Sequence, residues 1–164
     1  GFVSAVCEGR SVHVARVDPP ETWRAIVALP AEPLATSKAR AVLPATYAME
    51  DVVANLQSAA VLGLAFAQAR GDLLRLAMQD RIHQPYRAPF CPMLPLLLPL
   101  VGKDGILGVA LSGAGPAVLV VVEGEKSLQA ATSAIGKATE NRVAAELTIC
   151  RFSRVGASQA IENK

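Results

Sequence analysis

The stretch from Gly105 to Glu123, GILGVALSGAGPAVLVVVE, limits what this chain can fold into more than any other. Two apolar runs, Ile106 to Leu111 and Val118 to Val122, flank a turn of small residues, Ser112, Gly113, Ala114, Gly115 and Pro116. Apolar runs of that length, rich in β-branched residues, read as buried strands, because branched side chains fit a pleated surface. Two glycines two apart let the backbone reach positive φ or approach another group closely, and Pro116 fixes φ and removes a donor as the second strand starts. A turn of this composition is open to two readings: a tight connection between strands, or a set of backbone N–H groups presented to an anion.

The elements around this hairpin follow from periodicity. Phe2 to Val6 and Ser11 to Val17 read as short strands about Glu8, Gly9 and Arg10, and a lone two-stranded hairpin is marginal in water. Arg24 to Leu29 is a strand closed by Pro30, and Thr36 is expected to cap a short helix, SKARAVL, that Pro44 stops. Arg40 follows Thr36 by four residues; spacing alone allows a hydroxyl and guanidinium aimed at a carboxylate, or a capping Thr beside a solvated Arg. Val52, Val53, Leu56, Ala59, Ala60, Gly63 and Ala67 give Glu50 to Arg70 the pattern of a long helix with a small-residue packing face. Gly71 is expected to end it and Asp72 to cap the next, Leu73 to about Arg81, after which His83 to Arg87 form an exit loop at Pro85. Phe90 to Val101 reads as a short helix interrupted by prolines, with Leu94, Leu97, Leu98 and Val101 inward. Leu128, Ala131, Ile135 and Ala138 mark a helix over Glu125 to Ala138, Glu146 to Ser153 is a last strand, and the polar tail after Gly156 is expected to fray. The order implies an α+β, ferredoxin-like domain: a mainly antiparallel sheet with helices on one face.

At 164 residues the chain suits one ordinary domain plus an appended piece. Apolar residues are 52% and charged residues 18%, with 16 basic against 14 acidic, so no strong field arises; without a basic stripe interleaved with aromatics, no nucleic-acid partner is expected. The longest apolar stretch, Phe90 to Val101, is too short for a membrane span and carries three prolines, so no membrane role is expected. The opening at Gly1, with no basic n-region, predicts the absence of a signal peptide and a missing upstream region. Cys7, Cys91 and Cys150 are odd in number and widely spaced, which predicts idle thiols rather than disulfides or zinc, and His13 and His83 form no metal motif.

Val109 to Val118, VALSGAGPAV, resembles the third conserved motif of the superfamily that contains galactokinase, homoserine kinase, mevalonate kinase and phosphomevalonate kinase. LATSKARAVLP (Leu34 to Pro44) and MQDRIHQPYRAPF (Met78 to Phe90), with EDVVANLQSAAVLGLA between them, look like the C-terminal half of the homoserine kinase branch. The resemblance runs in order over nearly the whole chain. It implies that residues 1–20 are remnant strands of an N-terminal kinase domain, poorly paired when detached, and that residues 21–164 are the C-terminal substrate-binding domain. It implies an enzyme that moves the γ-phosphoryl group of ATP to the side-chain hydroxyl of L-homoserine in threonine biosynthesis, cytoplasmic and homodimeric when complete.

By resemblance, Thr36, Arg40 and Arg87 match positions that bind homoserine, the arginines on its α-carboxylate, and His83 is a further candidate. A planar guanidinium that stays charged suits that contact, through two parallel hydrogen bonds. Ser112, Gly113, Ala114 and Gly115 match the motif that in the superfamily supports the phosphate loop. Ala35 stands where the family often has Ser, and Ala117 where it often has Thr, so hydroxyl contacts there are lost. ATP and Mg²⁺ are implied to bind mainly in the N-terminal half, whose loop-to-helix phosphate sequence this chain lacks. No catalytic base, metal site or tightly bound cofactor is therefore assigned, and the chain alone is expected to be inactive. Two other readings remain: another small-molecule kinase of the superfamily, or a stand-alone ferredoxin-like domain that binds an amino acid as a regulatory signal.

Overall fold

The computed structural model describes residues 1–156. Four strands, β3 (Arg24–Pro30), β4 (Ile106–Leu111), β5 (Val118–Val122) and β6 (Ala145–Arg151), form a sheet in the order β4-β5-β3-β6; β1 (Phe2–Glu8) and β2 (Ser11–Val17) form a separate ladder. Each neighbouring pair is antiparallel, and the order is that of a ferredoxin-like α+β domain. Between β3 and β4 run α1 (Thr36–Ala41), α2 (Met49–Ala67), α3 (Gly71–Ala77), α4 (Gln84–Arg87) and α5 (Met93–Leu97), with 3₁₀ turns at Ala88–Phe90 and Leu98–Leu100; α6 (Glu125–Thr139) joins β5 to β6. Among the described residues no helix is long and apolar enough to cross a membrane.

Side chains alternate across a strand, so each strand of the sheet feeds two layers. Val118, Val120 and Val122 join Ile26, Ala28, Ile106 and Val109 in a core closed by Leu94 and Leu97 of α5 and by Leu128, Ala131 and Ile135 of α6. Val121 turns the other way, into a second core with Trp23, Ala65, Phe66 and Leu74. Helices thus cover both faces, where the sequence reading gathered them on one. The physical reason lies at Gly108 of β4: a Cβ there would fall 2.3 Å from Met78 Sδ and 3.5 Å from Leu74 Cβ, so the missing side chain lets α3 settle onto the sheet.

The N-terminal hairpin is paired at every position from Phe2↔Val17 to Glu8↔Ser11, not poorly paired as expected of detached strands. It is anchored by stacking: the Phe2 ring lies 4.8 Å from Phe66, which also meets Trp23 at 5.2 Å and Phe152 at 5.8 Å, edge-on to both.

Several element ends differ from the sequence reading. Thr36 is the first helical residue of α1 rather than its cap; extended Ala35 holds the cap position, and its carbonyl accepts the Ala39 N–H at 3.1 Å. The α2 helix stops at Ala67, and the left-handed residue after it is Ala69, at φ 54°, so Gly71 opens α3 instead of closing α2. Asp72 does not cap α3, because its carboxylate takes two hydrogen bonds from the Arg70 guanidinium, at 2.7 and 2.6 Å; that contact holds it below the usual carboxylate range. The α3 helix ends at Ala77, short of Arg81. His83 to Arg87 is no loop: Gln84–Arg87 is one helical turn, with Pro85 in the first turn, where its missing N–H costs nothing. Leu94 and Leu97 are buried as expected, but Leu98 is 43% exposed. The polar tail after Gly156 lies outside the described residues.

The contrast between two leucines of one short segment is testable by chemical denaturation. Leu94→Ala is expected to cost about 2–5 kcal/mol, the range for emptying a closed core site, whereas Leu98→Ala is expected to cost less than about 1 kcal/mol.

Candidate functional site

Met78 to Arg87 makes the corner between α3 and α4, and side-chain oxygens hold it in place. Asp80 Oδ1 accepts the N–H groups of Ile82 and His83 at 2.7 and 2.8 Å, and Oδ2 lies 3.2 Å from His83 Nδ1. Gln84 is buried; its Oε1 accepts the Leu111 N–H at 2.9 Å and its Nε2 donates to the Met78 carbonyl at 3.4 Å. Because Leu111 is the last residue of β4, Gln84 joins the helical corner to the start of the glycine turn.

Arg87 extends the connection. Its Nε donates to the Ala39 carbonyl of α1 at 3.1 Å and its Nη1 to the Gly113 carbonyl at 3.4 Å. A guanidinium carries five N–H donors, so three remain for another acceptor. In the turn, Gly113 and Gly115 sit at φ 62° and 82°, the Gly115 N–H bonds the Ser112 carbonyl at 3.1 Å, and the Ser112 N–H bonds Ala117 at 2.8 Å. The turn rests on Cys91: a Cβ at Gly115 would meet Cys91 Sγ at 2.7 Å. Burial pushes the Cys91 thiol above its ordinary value, with the Arg87 charge pulling the other way.

A cavity of about 380 Å³ opens where these pieces meet, bordered by Asn55, Ser58 and Ala59 of α2, by Asp80, His83, Gln84 and Arg87, and by Leu111 and Gly113. The structure thus brings His83, Arg87 and Gly113 together. Thr36 and Arg40 are exposed on α1 and do not line this cavity; α1 reaches it through the Ala39 carbonyl on Arg87. Ser112 is exposed, and Ala114 and Gly115 are half-buried behind the turn. A larger cavity, about 530 Å³, lies alongside and shares Asp80 and Gln84, but none of the residues singled out in the sequence borders it as a ligand contact. The smaller cavity is the candidate site, since it holds the guanidinium with donors to spare. Asp80 and Gln84 escaped the sequence reading, although an Asp three residues ahead of a His at a helix start is a recognisable local hydrogen-bonding signal. Among the described residues no three His, Cys, Asp or Glu side chains converge to hold a metal ion.

Residues 64–141 match the family described as GHMP kinases C terminal. The chain is 50% identical over 119 residues to homoserine kinase of Deinococcus radiodurans, which covers 73% of this chain and 39% of that protein. It is 38% identical over 123 residues to homoserine kinase of Persephonella marina, covering 75% of this chain and 41% of that protein. The chain therefore spans about two fifths of the length of these curated relatives. The crystal structure of homoserine kinase from Cytophaga hutchinsonii superposes with a TM-score of 0.75 over 86% of this chain and 46% of that one, at 23% identity, a likeness of fold.

The two turn glycines separate two physical costs. Gly113 needs only its positive φ, since nothing lies within 4 Å of its built Cβ, so Gly113→Ala is expected to destabilise by about 1–2 kcal/mol. Gly115 needs both φ and space, so Gly115→Ala adds the overpacking cost against Cys91 and reaches about 3 kcal/mol or more. Denaturant titration of the two variants, with equal slopes, checks the order.

Proposed function

We propose that this chain, whose residues 64–141 match the family described as GHMP kinases C terminal, is the substrate side of a homoserine kinase, which transfers the γ-phosphoryl group of ATP to the side-chain hydroxyl of L-homoserine. The observation that carries this reading is the cavity in which His83, Arg87 and Gly113 meet. Residues 1–20 are then strands of the adjoining kinase domain and residues 21–164 the substrate-binding domain. ATP and Mg²⁺ are assigned mainly to the part of the enzyme that the relatives have beyond the matched span. The complete enzyme acts as a cytoplasmic homodimer in threonine biosynthesis.

Phosphoryl transfer depends on positioning and charge stabilisation far more than on covalent work by the protein. Arg87 supplies positioning: two of its N–H groups are fixed on the Ala39 and Gly113 carbonyls, so the guanidinium plane is held before a ligand arrives. Its remaining donors grip the α-carboxylate, which leaves the hydroxyl end of the substrate free to face the phosphoryl donor. Arg40 and Thr36, one turn apart on the short helix whose Ala39 carbonyl Arg87 holds, are assigned by the resemblance as a second cation and a hydroxyl, although both stand outside the cavity that Arg87 borders. The glycine turn carries no chemistry of its own; through the Gly113 carbonyl it holds the guanidinium at the right height.

Steady-state kinetics of the kinase that contains this chain, with homoserine and ATP varied separately, test the assignment. Arg40→Ala and Arg87→Ala are each expected to weaken use of homoserine by about 2–5 kcal/mol, the scale for removing one partner of a desolvated charge pair, with apparent ATP affinity nearly constant. Arg87→Lys rescues only in part, because an ammonium lacks the planar fork. Arg87→Ala also lowers stability, since two carbonyls lose a donor, while exposed Arg40→Ala does not. The 164-residue chain by itself is expected to show no phosphoryl transfer. Unchanged homoserine kinetics in both alanine variants, with folding intact, overturn the reading.

A further inference from the structure

We propose that Asp80 is a positioning residue: it fixes His83 as the Nδ1–H tautomer, so that the imidazole offers Nε2 as a hydrogen-bond acceptor to the ammonium group of an α-amino acid held in the cavity by Arg87. The identity of the ligand rests on the proposed function; the tautomer follows from the corner itself.

Asp80 Oδ1 is committed to two backbone N–H groups, those of Ile82 and His83, and this orients the carboxylate before any ligand binds. Its Oδ2 lies 3.2 Å from His83 Nδ1. An ionised carboxylate has only lone pairs to offer, so the proton of that hydrogen bond sits on Nδ1. In the neutral ring Nε2 is then an acceptor, the reverse of the Nε2–H form that a free imidazole prefers. Among the described residues no group hydrogen-bonds Nε2, and His83 borders the cavity that Arg87 borders. Three other side-chain oxygens on the cavity wall already accept hydrogen bonds: Asn55 Oδ1 takes the Arg81 N–H at 2.8 Å, Gln84 Oε1 the Leu111 N–H at 2.9 Å, and Asp80 Oδ1 the Ile82 and His83 N–H groups. The cavity therefore sets a donor-only cation beside an imidazole acceptor, and an α-amino acid carries both complements, a carboxylate and an ammonium. The second histidine provides a contrast within the same molecule. His13 meets Glu8 through Nε2, at 3.1 Å, on the exposed hairpin, so the same chemistry there favours the opposite tautomer and borders no such cavity.

With two histidines in the chain, long-range ¹H–¹⁵N correlation spectra of the labelled 164-residue protein at alkaline pH read both tautomers, and His13→Gln assigns them. The expected result is Nδ1–H for His83. Asp80→Asn keeps Oδ1 on its two backbone donors, which turns the new NH₂ toward Nδ1 and switches His83 to Nε2–H. Binding is read by titration with L-homoserine and with 4-hydroxybutanoate, which has the same carboxylate and hydroxyl but no ammonium. Asp80→Asn is expected to weaken homoserine about tenfold, the scale of one mismatched hydrogen bond, and to leave 4-hydroxybutanoate unchanged. His83→Ala, which leaves the Asp80 corner in place, is expected to give the same ligand contrast, so a poorly folding Asp80 variant does not remove the test. An Nε2–H His83 in the unsubstituted chain overturns the proposal and leaves the proposed function standing. Equal losses for both ligands overturn the acceptor role of His83. Failure of homoserine to bind the unsubstituted chain, with His83 in the Nδ1–H form, refutes the proposed function and the ammonium contact with it.

Discussion

The alternation of side chains along β5 is the constraint on which the architecture depends. Val118, Val120 and Val122 belong to one apolar layer and Val121 to the other, so five consecutive residues set how thick the domain is and how many layers it has. A strand buried on both faces needs cover on both. The α5 and α6 helices supply it on one side; α3, the end of α2 and an aromatic group drawn from Phe2, Trp23, Phe66 and Phe152 supply it on the other. The gap in β4 at Gly108 admits α3, and the chain leaving α3 turns at Asp80 into the corner that holds His83, Gln84 and Arg87. The site is therefore a by-product of covering the second face.

Hydrogen bonds convert that cover into a rigid site. Gln84 joins the corner to the end of β4, and Arg87 joins it to both α1 and the glycine turn. Segments far apart in sequence thus meet through side chains of a four-residue helix, too short to hold its shape by its own hydrogen bonds. Buried polar contacts of this kind contribute modestly to stability when made and cost more when one partner is lost.

The sheet was largely legible in the sequence because Ile106 to Leu111 and Val118 to Val122 are branched, apolar and bounded by turn residues, and α6 was legible from Leu128, Ala131 and Ile135. Helix ends were not. Gly71 reads as a stop, yet the left-handed position fell on Ala69, because the close of α2 is set by tertiary packing rather than by the residue best suited to it. Leu98 fits the apolar pattern but lies where the 3₁₀ turn rotates it out to solvent. Which face a helix covers has no local signal; it depended on the absent side chain of Gly108. At the site, His83 and Arg87 could be nominated only by resemblance, and the turn's composition left two readings open. Gln84, whose role is to hold others, carried no chemistry that composition or spacing would single out, whereas Asp80 had only its spacing to His83 to mark it.

Arg87 has an implication for how relatives of this protein are read. Its guanidinium donates to two carbonyls from different segments, so the fold itself favours arginine at this position. A descendant that had lost its substrate, and with it any selection on catalysis, would still be penalised for replacing that residue. Persistence of the arginine across a lineage is thus weak testimony of enzymatic activity. A position such as Arg40, exposed and with no structural duty visible in the fold, is the more telling one to follow, because no packing or side-chain hydrogen bond among the described residues would restrain drift there.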